Sequence, residues 1–196
     1  MIALFSGGSG SGKSELAENY ALSLAHADKA AQKKLYYFAT MRVWGEEGRA
    51  RVKKHRCQRA GKGFITVECP NALPVGYSGG VVLLECLSNR LANAMFSEAE
   101  TPISDEEGKR ESTVKEKAAA AVGEILTEIA VLAQKNDVVI VTNEVFSDGI
   151  GYDAQTAEYI GSLGRLNCAL AQKADLVVES VYSIPVVHKG EYLCVR

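Results

Sequence analysis

Eight residues, Gly7 to Ser14, carry the first chemistry that can be read from the chain. Gly-Gly-Ser-Gly-Ser-Gly-Lys-Ser fits G-x-x-x-x-G-K-[ST]. Gly7 opens the pattern, Gly8, Ser9, Gly10 and Ser11 fill it, Gly12 and Lys13 are its fixed pair, and Ser14 supplies the hydroxyl. Glycines let a backbone wrap closely around a polyphosphate with its N–H groups turned inward, and a helix starting at Lys13 adds the positive end of its dipole. Lys13 would then reach the β- and γ-phosphates and Ser14 would bind Mg²⁺. A run of Gly and Ser can also be a plain flexible turn. The flanks argue otherwise: Ile2-Ala3-Leu4-Phe5 is a short apolar run suited to a buried strand, and Glu15 to Leu22 continue as a helical pattern.

Two further residues could join that chemistry. Val81-Val82-Leu83-Leu84 is an apolar run ending in Glu85, the pattern of a buried parallel strand whose terminal carboxylate serves Mg²⁺ in phosphate-loop enzymes. An acid at a strand end is also a common cap. His55 lies in a strongly basic stretch, Arg42 to Lys62, and on a helix its neighbours four residues away are Arg51 and Arg59. Flanking cations disfavour imidazolium, and a neutral imidazole beside bases can attack phosphorus in a polyanion. The plain alternative is a solvated basic helix that happens to carry a histidine. Thr40-Met41 at the end of a strand is either a ligand contact or a simple turn.

The elements that must position these groups alternate. Helices are expected over Lys13 to His26 with Leu16, Tyr20 and Leu24 on one face, over Glu46 to Ala60, Asn89 to Phe96, Ala118 to Gln134 and Asp153 to Lys173. Strands are expected at Leu35 to Ala39, Phe64 to Glu68, Val81 to Glu85, Asp137 to Thr142 and Asp175 to Val181. A short terminal hairpin is expected from 184–188 and 192–195. Alternation of this kind predicts an α/β, RecA-like phosphate-loop NTPase fold, a mostly parallel sheet covered on both faces with its site at the carboxyl ends of the strands. The phosphate loop, Thr40, Glu68, Glu85 and Glu144 all fall there.

At 196 residues and 47% hydrophobic composition, one domain spanning residues 1–196 accounts for the chain, with a charged, exposed and mobile insertion around residues 97–117. A net charge of −2 gives no nucleic-acid signature. Five cysteines form no C-x-x-C pair, and no apolar run has membrane-spanning length, which places the expected home in the cytoplasm.

Taken in order, the phosphate loop, Tyr-x-Ala-Thr at Tyr37 to Thr40, Arg-Val-x-x-His-Arg at Arg51 to Arg56, Thr-x-Glu at Thr66 to Glu68, Leu-Leu-Glu-Cys at Leu83 to Cys86 and Val-Thr-Asn-Glu-Val at Val141 to Val145 resemble a known family. It is the bifunctional adenosylcobinamide kinase and adenosylcobinamide-phosphate guanylyltransferase family of cobalamin biosynthesis. The resemblance implies a homotrimer that phosphorylates adenosylcobinamide with GTP or ATP and then transfers GMP from GTP through a guanylyl-histidine, which maps onto His55. It further implies that Thr40, Met41, Arg56, Cys57, Gln58, Arg59, Glu68 and Glu85 line the guanine nucleotide, with Mg²⁺ at Ser14 and Glu85. Gly161 and Cys168 stand where the family tends to show Asp and Gln. The rival readings are another phosphate-loop kinase of a small molecule and a non-catalytic nucleotide switch or ATPase.

Overall fold

A computed structural model of the chain describes residues 1–27, 33–42, 45–46, 59–96, 107–147, 149 and 151–192; of 107–112 only the backbone is described. In chain order the elements are β1 (Ile2–Ser6), α1 (Lys13–His26), β2 (Lys34–Ala39), β3 (Phe64–Glu68), β4 (Gly80–Glu85), α2 (Leu87–Met95), α3 (Glu107–Ala133), β5 (Asp137–Val141), α4 (Ala154–Lys173), β6 (Leu176–Val181) and β7 (Ile184–Lys189). The strands form one sheet in the order β3-β2-β4-β5-β1-β6-β7. Every pairing is parallel except β6 with β7. This is the expected α/β phosphate-loop NTPase architecture.

The two-residue period of the strands divides the core into two layers. Ala3, Phe5, Leu35, Tyr37, Val81, Leu83, Val139 and Val141 face α1. Leu4, Tyr36, Phe38, Val82, Leu84, Val138 and Ile140 face α2, α3 and α4. Because the central strands are buried on both faces, they read as unbroken apolar runs. Among the described residues no helix is long and apolar enough to cross a membrane.

Two expectations change. On α1 the inward stripe is Lys13, Ala17, Ala21 and Ala25 with Tyr20, while Leu16 and Leu24 only flank the core. Alanines spaced four apart let the helix lie close against the sheet, and that closeness brings Ser14 to the strand ends. Helix α3 begins at Glu107, ahead of the expected start at Ala118, so 107–117 is helical; 97–106 lie outside the described residues. Its apolar stripe runs one turn further back than expected, through Val114 to Ala118 and Ala121, while Thr113, Lys115 and Glu116 take the outward face. A hairpin pairs β6 with β7 through Tyr182-Ser183, while the expected pairing of 184–188 with 192–195 falls largely outside the described residues. Both turn residues have positive φ, 52° and 64°. That is the backbone twist of a tight two-residue hairpin. Residues 193–196, like most of the expected helix over Glu46 to Ala60, lie outside the described residues.

Buried polar ties hold the layers in register. Arg90 on α2 is fully buried and meets Glu124 at 2.7 Å and Glu128 at 3.2 Å on α3. Asn136 accepts from the Gly80 N–H at 3.1 Å and donates to the carbonyls of Tyr77 at 2.9 Å and Leu132 at 3.0 Å. One side chain thus joins the end of α3 to the start of β4. Asn136→Ala should lower the free energy of unfolding by about 1–3 kcal/mol, because a buried N–H and carbonyl lose their partner. Urea denaturation measures this; an unchanged midpoint would contradict it.

Candidate active site

Sheet register fixes the frame of the site. Glu68, Ala39, Glu85, Val141, Phe5 and Val178 form one row across β3, β2, β4, β5, β1 and β6, at the carboxyl ends of the strands. The phosphate loop rises from the next residue of β1. Glu68 and Glu85 therefore stand two strands apart, roughly 10 Å.

Residues 7–14 leave β1 and enter α1 with Gly12 as the cap, at φ 87°. A Cβ there would lie 2.3 Å from Ser183 Oγ and 2.9 Å from Ser183 Cβ, so a side chain is excluded by conformation and by space. The turn between β6 and β7 clasps the loop from that side. The Ser11 carbonyl accepts from Ser180 Oγ at 2.6 Å and from the Ser183 N–H at 2.8 Å. The Glu144 N–H donates to the Gly7 carbonyl at 3.0 Å. Ser11 Oγ is buried without a hydrogen-bond partner on the protein, and Lys13 Nζ donates back to the Gly8 carbonyl at 3.0 Å. Burial holds the Lys13 ammonium below its usual pKa, against the pull of Cys86 and Glu85. These are donors in search of an anion.

From the loop a chain of contacts crosses the sheet. Ser14 Oγ donates to Glu85 Oε1 at 2.5 Å, and the Tyr37 hydroxyl donates to Glu85 Oε2 at 2.9 Å. Burial, then the charge of Glu85, pushes the Tyr37 phenol well above its ordinary pKa, so it remains a donor. Arg59 Cζ sits 3.4 Å from the centroid of the Tyr37 ring. Arg59 Nη1 lies 3.6 Å from Glu85 Oε2 and 3.8 Å from Glu18 Oε1. Lys62 Nζ closes the cluster on Glu18 Oε2 at 2.6 Å. Arg59 then opens onto a groove of about 700 Å³ lined by Arg59, Ala60, Gly61, Gly63, Phe64, Thr66 and Glu68. Arg59 is only 7% exposed, yet among the described residues its Nε and Nη1 have no hydrogen-bond partner.

A hydroxyl and a carboxylate oxygen converging at Ser14 and Glu85 fit Mg²⁺, which takes hard oxygen ligands, keeps waters and needs few protein groups. Among the described residues no cluster of three or more His, Cys, Asp or Glu offers another metal position.

The candidate residues are distributed unequally. The loop, Ser14, Glu85 and Arg59 come together; Glu68 is exposed at the far end of the groove. Thr40 is fully buried, with its hydroxyl committed to the Cys86 carbonyl at 2.8 Å and its own carbonyl to Asn93 at 2.7 Å. Its side chain supports the site from beneath. Met41 is half-buried beside it. His55, Arg56, Cys57 and Gln58 lie outside the described residues. The Glu144 carboxylate accepts from the Phe146 N–H and Ser147 Oγ, and so closes its own turn. His26 is exposed at the end of α1, and His188 pairs with Glu179 at 2.9 Å on the hairpin; neither takes part. Gly161 and Cys168 both sit exposed on the outer side of α4.

Tyr37, Glu18, Lys62, Ser180 and Ser183 belong to the site without having been singled out for it by sequence reasoning. Glu18 left a signal, an acid four residues after Ser14 on the inward side of a helix. The two serines left none, since only the fold brings them to the loop. Gly12→Ala should weaken binding of a nucleoside triphosphate by about tenfold or more while the protein stays folded, because Ser183 is held by its own bond to Ser11. Calorimetric titration beside circular dichroism tests this, and wild-type affinity would refute it.

Comparison with known proteins agrees with this geometry. The family model for cobinamide kinase / cobinamide phosphate guanyltransferase matches residues 3–187. The bifunctional adenosylcobalamin biosynthesis protein CobP of Pseudomonas aeruginosa is 28% identical over 199 residues, covering 98% of this chain and 100% of that protein. A phosphate loop, a strand-end carboxylate and an adjoining groove headed by Arg59 thus occur in a chain that belongs, over nearly its whole length, to the cobinamide kinase / cobinamide phosphate guanyltransferase family, whose members are kinases and nucleotidyltransferases.

Proposed function

We propose that the chain carries out both reactions in succession on one corrinoid substrate. Adenosylcobinamide is first phosphorylated on its aminopropanol hydroxyl by GTP or ATP. The resulting phosphate then accepts GMP from a second nucleotide, GTP, to give adenosylcobinamide-GDP. The observation that carries this reading is the unbroken path from Ser14 through Glu85 and Tyr37 to Arg59, which joins a phosphate loop to a separate groove.

In the first step the loop N–H groups, Lys13 and the start of α1 hold the outer phosphates and stabilise the charge of the transferring group. Ser14 and Glu85 are the residues that would hold Mg²⁺; when bound, it neutralises phosphate oxygens and orients them. In the second step an imidazole lone pair of His55, four residues before Arg59, attacks the α-phosphorus of GTP. The bond to the β-phosphate breaks and pyrophosphate leaves. An oxygen of the cobinamide phosphate then attacks the same phosphorus, the P–N bond breaks, and the imidazole is restored. Arg59 supplies a buried cation for the charge that develops, and Glu68 is proposed to accept from the guanine edge. Arg56, Cys57, Gln58 and Met41 are proposed to complete the nucleotide's surroundings, with Thr40 acting from below. A homotrimer is the assembly proposed for the working enzyme.

Incubation with Mg²⁺ and GTP labelled at the α-phosphate should leave the label on the protein in an acid-labile, base-stable form, and His55→Ala should abolish it. Label persisting in that variant would overturn the role of His55. Transfer of the γ-phosphate to cobinamide with no labelled protein under any condition would reduce the enzyme to a kinase in which His55 belongs to a phosphate clamp.

A further inference from the structure

Two opposite charges as close as the buried Arg59 and the largely covered Glu85 ordinarily close into a bidentate pair with two short N–H···O bonds. Here they do not. Nη1 stands 3.6 Å from Oε2, and among the described residues Nε and Nη1 have no hydrogen-bond partner although Arg59 is more than nine-tenths buried. Such an arrangement needs a cause, since an unmatched buried donor is costly.

Tyr37 occupies the place where that pair would form. Its hydroxyl takes Oε2 at 2.9 Å, Ser14 takes Oε1 at 2.5 Å, and both carboxylate oxygens are thereby engaged. Its ring carries the guanidinium face at 3.4 Å, which satisfies the cation while leaving the in-plane donors unspent. On the far side, Glu18 lies 3.8 Å from Arg59 and is itself occupied by Lys62 at 2.6 Å, so neither acid captures the guanidinium. We infer that Tyr37 is a positioning residue that keeps Glu85 and Arg59 from closing on each other, reserving the carboxylate for the cation of the phosphate loop and the guanidinium for a phosphate oxyanion in the groove. Tyr37 is fixed for this part: it is 5% exposed, its strand pairs on both sides with β3 and β4, and Phe64 packs against its ring edge-on.

The inference rests on assigning the groove to the guanylyl group, and its test separates the two. The probe is GMP, which presents one phosphate and a base to the groove but has no outer phosphates for Mg²⁺ to bridge. Its affinity is measured by calorimetry for wild type, Tyr37→Phe and Tyr37→Leu, each in EDTA and in saturating Mg²⁺. Tyr37→Phe keeps the ring and frees Oε2, so Glu85 should seize Arg59 and weaken GMP binding in EDTA by about fivefold or more. In Mg²⁺ the carboxylate is drawn back to the Ser14 side, and affinity should return to within about twofold of wild type, which itself changes little with Mg²⁺. Tyr37→Leu removes the ring as well and should not be rescued. GMP binding by Tyr37→Phe that equals wild type in EDTA, or that is weakened alike with and without Mg²⁺, overturns the role of Tyr37. A wild-type protein that binds no GMP in either condition overturns the assignment of the groove itself, and this role with it.

Discussion

Glu85 has one carboxylate and three neighbours that want it. Ser14 comes from the helix that follows the first strand, Tyr37 from the second strand, and Arg59 from the chain leading into the third. A charge so largely withdrawn from water is stable only when paired and hydrogen-bonded, and each partner is carried by a different element. The site is therefore also a joint of the fold. Its main chain takes part too, since the Glu85 carbonyl accepts the Thr40 N–H at 3.2 Å and the Cys86 carbonyl accepts the Thr40 hydroxyl at 2.8 Å. The ends of two neighbouring strands are fastened together where the chemistry needs them.

The way α1 packs follows from the same demand. A helix carrying a phosphate loop must bring its first turn down onto the strand ends, and bulky residues on its inner face would hold it away. Ala17, Ala21 and Ala25 remove that obstacle, while Leu16 and Leu24 move to the margins. On the opposite face nothing has to approach so closely. There α2, α3 and α4 build a thicker layer with Leu91, Ile125, Ile129, Leu163, Leu166 and Leu170. Composition differs between the two layers because their geometric tasks differ.

Most of the architecture is legible in the sequence because buried parallel strands announce themselves. Val81 to Glu85 and Asp137 to Val141 are apolar runs bounded by polar residues, and the phosphate loop locates its own strand and helix. The start of α3 was hidden by a polar first stretch, since Val114 is a single apolar residue among charges and only the surface it meets makes it part of a stripe. The turn between β6 and β7 was hidden because Tyr182 and Ser183 are not the Gly and Asn that usually mark a tight turn. Within the site, Lys13, Ser14 and Glu85 could be read from local pattern. Tyr37 could not: its inward face looks like that of any core aromatic, and its hydroxyl acquires meaning only when β4 places Glu85 beside it. Glu18 and Lys62 hide for a similar reason, as a helix acid and a loop base whose pairing spans 44 residues of chain.

The position of β1 has a consequence for how the protein is made. Its hydrogen-bonded neighbours are β5 and β6, and its loop is clasped by Ser180 and Ser183, so β1 finds no strand partner until Asp137 and beyond have been synthesised. At ordinary elongation rates that interval is on the order of ten seconds, during which an apolar strand with two open edges and an unclosed loop must be kept from other chains. Nucleotide binding in this architecture is thus acquired late and all at once. A truncated chain ending before the last hairpin would possess every residue of the phosphate loop and still lack the shape that makes it one.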